Sequence, residues 1–329
     1  MSIMNIHEKI GEGSYGSVFK VEKRNKVYAM KKLNIENLQN YEKKCIISEL
    51  KILSGHESKY LIKYYFSEIV GKHLCIYTEF IDGGDLSSKI KKHSAAGTSF
   101  SPSELQRYFG QLCIALKYLH SNNIIHRDIK PSNILVRNDN IKLIDFGISK
   151  ICDKYLKYTK TFVGTPYYIS PEQFRNVNYN YKVDIWSLGC LMYELHEHTV
   201  PFKGSDIVQL RNCVLSKSPY YKKTSRFFKP LITKCLCKSP YGRPEITWLL
   251  KQCENTEMDK KLPKIQIQNV IVKYKHFDWR KFIESLPKRN ESPAEQLEND
   301  YQQLVNLPKL HLIKMIHDLR KEIDSFKHR

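Results

Sequence analysis

Three short runs hold the residues whose types and order could do chemistry: His126-Arg127-Asp128-Ile129-Lys130-Pro131-Ser132-Asn133, Asp145-Phe146-Gly147 and Val27-Tyr28-Ala29-Met30-Lys31. Phosphoryl transfer needs a carboxylate to take the proton of an attacking hydroxyl, and hard oxygen donors for Mg²⁺ beside the moving phosphate. Asp128 suits the first task, and Asn133 with Asp145 suits the second. The apolar runs 134–136 and 141–144 are expected to be short strands joined by a turn over 137–140, a hairpin that would bring Asn133 and Asp145 together. Upstream, residues 11–18 read G-x-G-x-x-G-x-V. The glycines Gly11, Gly13 and Gly16 let backbone N–H groups approach phosphate oxygens, and the turn joins two expected strands rather than opening a helix, which argues against a dinucleotide fold. Taken alone, that run fits an ordinary glycine-rich hairpin better.

Lys31 and Lys32 adjoin at the end of one expected strand, where alternation sends their side chains to opposite faces; the Ala29-x-Lys31 spacing selects Lys31 as the phosphate-binding amine. A helix expected over 40–53 offers Glu49 as the ionic partner of Lys31, with Glu42 as its rival.

The elements that must position these groups change character along the chain. Strands are expected over 6–10, 17–22, 26–32, 61–69 and 73–80, with the one helix among them. Helices follow over 85–93, 103–121, 181–197, 206–215, 227–237 and 244–253, and Ser101-Pro102-Ser103-Glu104 has the form of a capped helix start. The expected fold class is α+β: a small β-rich lobe, then a larger, mainly helical one. Beyond residue 253 an extended run, a short helix and two apolar stripes interrupted by Pro308 suggest a partly helical extension, packed on the helical lobe or used for self-association.

Composition sets limits. The chain has 329 residues, 41% of them hydrophobic, enough to bury a two-lobed core. Lys plus Arg number 54 against 34 Asp plus Glu, a net charge of +20. Residues 255–329 carry 15 basic and 11 acidic residues, so +16 of the charge belongs to 1–254 and the chain has no detachable basic arm. An evenly lysine-rich solvated surface is the simplest reading of that charge. With no RNP-type aromatic motif, nucleic acid is disfavoured as a specific partner. The nine cysteines form no CxxC pair and point to a reducing compartment. No signal peptide or membrane-spanning run is evident, so no membrane partner is expected.

With these motifs in this order the chain resembles the eukaryotic protein kinases over about residues 4–254. Ser170-Pro171-Glu172 stands where the family usually has A-P-E, Asp184 to Gly189 matches the helix that anchors the catalytic loop, and Arg243 looks like the partner of Glu172. Lys130 resembles the lysine of serine/threonine kinases that contacts the γ-phosphate, so protein Ser/Thr hydroxyls are the implied acceptors and ATP with Mg²⁺ the implied cofactors. The run Gly164-Thr165-Pro166-Tyr167-Tyr168-Ile169-Ser170-Pro171-Glu172-Gln173 is similar to the NIMA-related group, with Glu57 to Tyr60 departing from the usual turn before the fourth strand. The resemblance implies a domain over 4–254, with lobes 4–80 and 82–254, and an extension over 255–329 that could be regulatory. It places adenine between Val18, Ala29 and Leu135, with hinge hydrogen bonds from Glu79 and Ile81, the ribose at Asp85, and Thr78 as gatekeeper. It assigns Thr161 as an activating phosphosite, with Thr159 and Tyr158 as rivals, Arg127 as its receptor, and Thr165 as a shaper of the peptide groove. Tyr64 matches an autoinhibitory tyrosine of some relatives or is a plain core aromatic. A cytoplasmic setting, cytoskeletal or nuclear included, and work in the cell cycle or at microtubules and cilia follow by the same analogy.

Overall fold

The computed structural model describes residues 4–13, 16–36, 40–145 and 166–254. Strands β1 (Met4–Gly13), β2 (Gly16–Lys23), β3 (Lys26–Asn34), β4 (Tyr64–Val70) and β5 (His73–Glu79) form one antiparallel sheet in the order β1-β2-β3-β5-β4. Helix α1 (Asn40–Gly55) crosses between β3 and β4. The β2–β3 connection is a two-residue turn in which Arg24 and Asn25 have φ of 53° and 56°, the left-handed pair that matches the twist of the flanking strands.

Register decides what each sheet face carries. Val18 lies opposite Lys31, Ala29 opposite Thr78, and Thr78 opposite Tyr64, so these five residues share a face. The other face carries Val21, Tyr28, Met30, Cys75 and Tyr77, all buried. A register shift between Tyr64 and Phe66 lets both Tyr65 and Phe66 reach Tyr28, with ring centroids 5.3 and 5.7 Å away. That bulge keeps Tyr64 opposite Thr78 while its neighbours cover the far side.

The expected strand over 61–69 begins only at Tyr64. Residues 60–62 are instead taken up by a strand of the helical lobe: Leu143 N–H donates to Tyr60 O (2.9 Å) and Ile62 N–H to Leu143 O (3.0 Å). Competing backbone partners, rather than side-chain propensity, set that boundary.

After residue 80 come α2 (Leu86–Ala95), α3 (Pro102–Ser121), a hairpin of β6 (Ile134–Arg137) and β7 (Asn140–Leu143), then α4 (Pro171–Phe174), α5 (Lys182–Glu197), α6 (Ile207–Ser216), α7 (Phe228–Cys235) and α8 (Ile246–Glu254). Ser101 starts α3 with a full capping box: its hydroxyl accepts from Glu104 N–H at 3.2 Å and its own N–H donates to Glu104 at 2.9 Å. Helix α5 is buried on nearly every side and packs against α7, while α3 packs against α8 and β7. Trp186 stacks on Phe202 at 5.6 Å inside this core. Among the described residues seven cysteines are free thiols, six of them buried, as small apolar fillers would be. No helix among the described residues is long and apolar enough to cross a membrane.

Candidate active site

The β6–β7 hairpin does what its sequence suggests. Arg137 pairs with Asn140 around Asn138 and Asp139, whose φ values are 47° and 64°. Asn and Asp tolerate that left-handed pair better than other residues that carry a side chain. The hairpin's open end then sets Asn133 beside Ile144, whose N–H donates to Asn133 O at 2.9 Å, one residue before Asp145.

Around Asp128 the geometry is tight. Its Oδ2 accepts from Lys130 Nζ at 2.8 Å and from Asn133 Nδ2 at 2.9 Å, and Asn133 Nδ2 also donates to Asp128 O at 2.8 Å. With the amide nitrogen committed to Asp128, Asn133 has its amide oxygen to offer a cation.

The loop is held from below by Asp184, which is fully buried. Its carboxylate accepts the N–H groups of His126 (2.9 Å) and Arg127 (2.8 Å), and His120 Nε2 lies 2.8 Å from it. His126 sits 3.1 Å by Nε2 from Ile144 O and accepts Asp128 N–H at Nδ1 (3.3 Å), so the network assigns its proton to Nε2. Burial pushes the imidazole's pKa below its ordinary value despite the nearby carboxylates, which suits a neutral ring. His126 thereby ties the loop that carries Asp128 to the residues that lead from β7 to Asp145.

Lys31 joins the two lobes. Its Nζ is 3.1 Å from Glu49 Oε1 and 3.1 Å from Asp145 Oδ1. Burial by itself would favour the neutral amine, but the charges of Asp145 and Glu49 outweigh it and hold the amine above the ordinary lysine range. Glu49, 8% exposed, has its carboxyl pushed up by burial and by Asp145 against the pull of Lys31. Of the two rival glutamates, Glu49 is the one at Lys31. Asp145 itself has φ 53°.

Other expected site residues lie on the first two strands and at the start of α2. Gly11 pairs with Val18 and Gly13 with Gly16 in the β1–β2 ladder. A Cβ on Gly16 would lie 2.1 Å from Lys32 O, so that position requires glycine for close approach of backbone. Leu135 forms an isolated bridge with Asp85, whose carboxylate accepts Ser88 N–H at 2.7 Å and starts α2. Glu79 N–H is committed to Lys63 O at 2.9 Å; Ile81 is buried at the start of the following segment. Arg127, with φ 67°, lies over the Tyr179 ring at 5.7 Å. Tyr64 is half-buried, its hydroxyl 2.8 Å from Ser67 Oγ. Thr161, Thr165, Phe146 and Gly147 lie outside the described residues, as do the rival phosphosites and the extension 255–329.

Sequence reasoning passed over several residues that the geometry recruits. His120 closes the last turn of α3, six residues before His126. Lys142 joins Glu79 Oε1 (2.7 Å) to Leu61 O (3.2 Å) and so ties the strand before Asp145 to the start of the hinge. Glu194 receives the Tyr168 hydroxyl, while Ser187 Oγ donates to Tyr168 O at 2.9 Å. Only the pattern of Lys142 two residues before Ile144 on a short strand could have flagged its side; the other partners are far apart in sequence.

The family model described as the protein kinase domain matches residues 4–253. The chain belongs to the protein kinase family. Its curated relatives narrow the class to the NIMA-related, or Nek, type. The serine/threonine-protein kinase Nek6 of Oryza sativa subsp. japonica is 37% identical over 257 residues, covering 76% of this chain and 47% of the relative. The probable serine/threonine-protein kinase nek1 of Dictyostelium discoideum is 36% identical over 270 residues, 75% of this chain and 55% of that one. Human serine/threonine-protein kinase Nek2 is 34% identical over 256 residues, 74% and 57%. The chain thus spans about half the length of these relatives.

Proposed function

We propose that this chain transfers the γ-phosphoryl group of ATP to serine and threonine hydroxyls of protein substrates. The observation that carries the reading is the convergence of Lys130 Nζ and Asn133 Nδ2 on Asp128 Oδ2, at 2.8 and 2.9 Å, with Asp145 paired to Lys31. Asp128 takes the proton of the acceptor hydroxyl, and Lys130 neutralises charge at the transferring group. Lys31, fixed by Glu49, receives the α- and β-phosphates. The Asn133 amide oxygen and the Asp145 carboxylate are hard donors that fit Mg²⁺, which when bound would offset negative charge on the phosphates. Val18, Ala29 and Leu135 line the purine slot, the carbonyl of Glu79 and the N–H of Ile81 supply its hinge bonds, Asp85 meets the ribose, and Thr78 guards its rear.

The lobes are taken as 4–80 and 82–254, with 255–329 as a regulatory or self-associating extension. Thr161 is read as the activating phosphosite, Arg127 as its receptor and Thr165 as part of the peptide groove. Tyr64, on the sheet face that carries Lys31, is read either as an autoinhibitory tyrosine or as a plain core aromatic. Cell-cycle, microtubule or cilium work in the cytoplasm or nucleus rests on kinship alone.

The deciding experiment is Mg²⁺-dependent phosphorylation of casein by the full chain, with phosphosite mapping. Incorporation into Ser and Thr that vanishes in Lys31→Met and Asp145→Asn supports the proposal. ATP binding without turnover would instead make the chain a kinase-fold scaffold and overturn it.

A further inference from the structure

Between Asp206 and Glu245 the chain has no Asp or Glu and carries nine Lys or Arg over residues 207–244. At the acid frequency of the whole chain, that length would hold about four carboxylates, so the positive charge is less evenly spread than the overall composition suggests.

Two of the nine cations are spent in the interior. Arg243 pairs with Glu172, and Lys238 Nζ lies over the Phe202 and Trp186 rings at 4.0 and 5.1 Å. Lys234 and Lys229 cover aromatic rings, of Trp248 and Tyr221 respectively. Arg211, Lys217, Lys222, Lys223 and Arg226 are exposed, and none forms an ion pair among the described residues.

The loop that presents them is pinned rather than loose. The Glu197 carboxylate accepts the N–H groups of Lys222 (3.0 Å), Lys223 (3.0 Å) and Thr224 (2.9 Å), and the Thr224 hydroxyl at 2.6 Å. The Tyr193 hydroxyl donates to Tyr220 O, and Lys217 N–H closes α6 on Cys213 O at 2.9 Å. Backbone bonds therefore hold the loop from the inside while the lysine side chains stand outside, so little ordering remains to oppose a partner. Helix α6 also packs against α4, the short helix at Glu172 that follows the Gly164-Thr165-Pro166 segment.

We propose that the surface made by the end of α6, the loop over 217–227 and the start of α7 docks an acidic segment of a protein partner. Charge complementarity selects carboxylates. Nucleic acid fits less well, because single strands want several exposed rings in series. Here Tyr221 lies under Lys229 with its hydroxyl on Thr233, Phe227 is edge-on to buried Phe228, and Tyr220 stands alone, 79% exposed.

The test is fluorescence anisotropy of the full chain with a labelled peptide of about a dozen Glu and Asp residues lacking hydroxyl side chains, over a salt series. Binding is read without turnover, so its outcome is separable from that of the catalytic proposal. K222E/K223E should weaken the wild-type affinity at least about tenfold, and R211E/R226E, whose charges lie off the Glu197 anchor, should do likewise. K91E/K92E on α2, an equal charge change elsewhere, should leave it within about threefold. Equal losses in all three variants would reduce the effect to net charge and overturn the proposal. So would no measurable peptide binding at low salt, or tighter binding of oligo-dT than of the peptide.

Discussion

Arg243 and Glu172, 71 residues apart, meet as a two-pronged pair inside the helical lobe: Nη1 to Oε1 is 2.6 Å and Nη2 to Oε2 is 2.8 Å. The guanidinium also donates to Cys237 O, Lys182 O and Lys238 O and lies over Trp186, so its five N–H donors are largely engaged. The pair links α4 to the turn before α8. Removing one partner leaves a charge in a place where water cannot reach it. Arg243→Ala should therefore cost about 3–5 kcal/mol in denaturant unfolding, and Arg243→Lys should recover little, because an ammonium cannot make the fork. A loss under about 1 kcal/mol would show that the pair is not what holds α4.

Asp128→Asn preserves the shape of the loop and removes the proton acceptor. Turnover should fall by about 10²–10⁴-fold, while ATP affinity measured by calorimetry stays within about threefold. A variant that loses both together would mean that Asp128 acts by holding Asn133 and Lys130, and the role of base would pass elsewhere.

Lys31→Met should lower kcat by at least about 10²-fold, since it removes a preorganised charge from the phosphates. Glu49→Gln tests the positioning role separately. It keeps the side-chain shape, leaves Lys31 with Asp145 alone, and should raise the KM for ATP more than it lowers kcat. A Glu49→Gln enzyme with unchanged KM would detach α1 from nucleotide binding.

Moderate acid should destabilise the fold through two buried histidines. Burial lowers the pKa values of His126 and His196 below the ordinary histidine value, so between the folded and unfolded values the unfolded chain binds more protons. Stability is then fully present above about pH 6.5 and falls as pH drops toward the folded values, by up to about 1.4 kcal/mol per pH unit for each histidine. Unfolding free energies at pH 7.5 and 5.5 should show that decline. His196→Phe, which keeps the ring beside Phe228 (4.8 Å), should flatten part of it. A stability that rises on acidification would contradict this assignment.

Gly83 sits where the hinge turns into the helical lobe, and a Cβ there would lie 1.8 Å from Val136 O. Gly83→Ala must push β6 away from the turn that carries Asp85. It should lower thermal stability and weaken ATP binding together, checked by melting with and without nucleotide. An alanine variant with wild-type melting and affinity would show that β6 can move at no cost.

What could be read along the chain was local. The turn over 137–140, the capped start at Ser101, strand alternation separating Lys31 from Lys32, and the order of the motifs all depend on sterics and spacing within a few residues. They sufficed for the two-lobed fold class. Tertiary structure decided the partners. Glu49 and Glu42 are equivalent helix glutamates until α1 docks on the sheet and buries one of them beside Lys31. Residues 61 and 62 look like strand with 63–69 until Leu143 of β7 takes the backbone groups around them. Asp184 reaches the N–H groups of His126 and Arg127 across 58 and 57 residues, and Glu197 gathers those of 222–224. The strength of such pairings depends on burial and on which elements meet, and neither is written in the spacing of residues along a strand or helix.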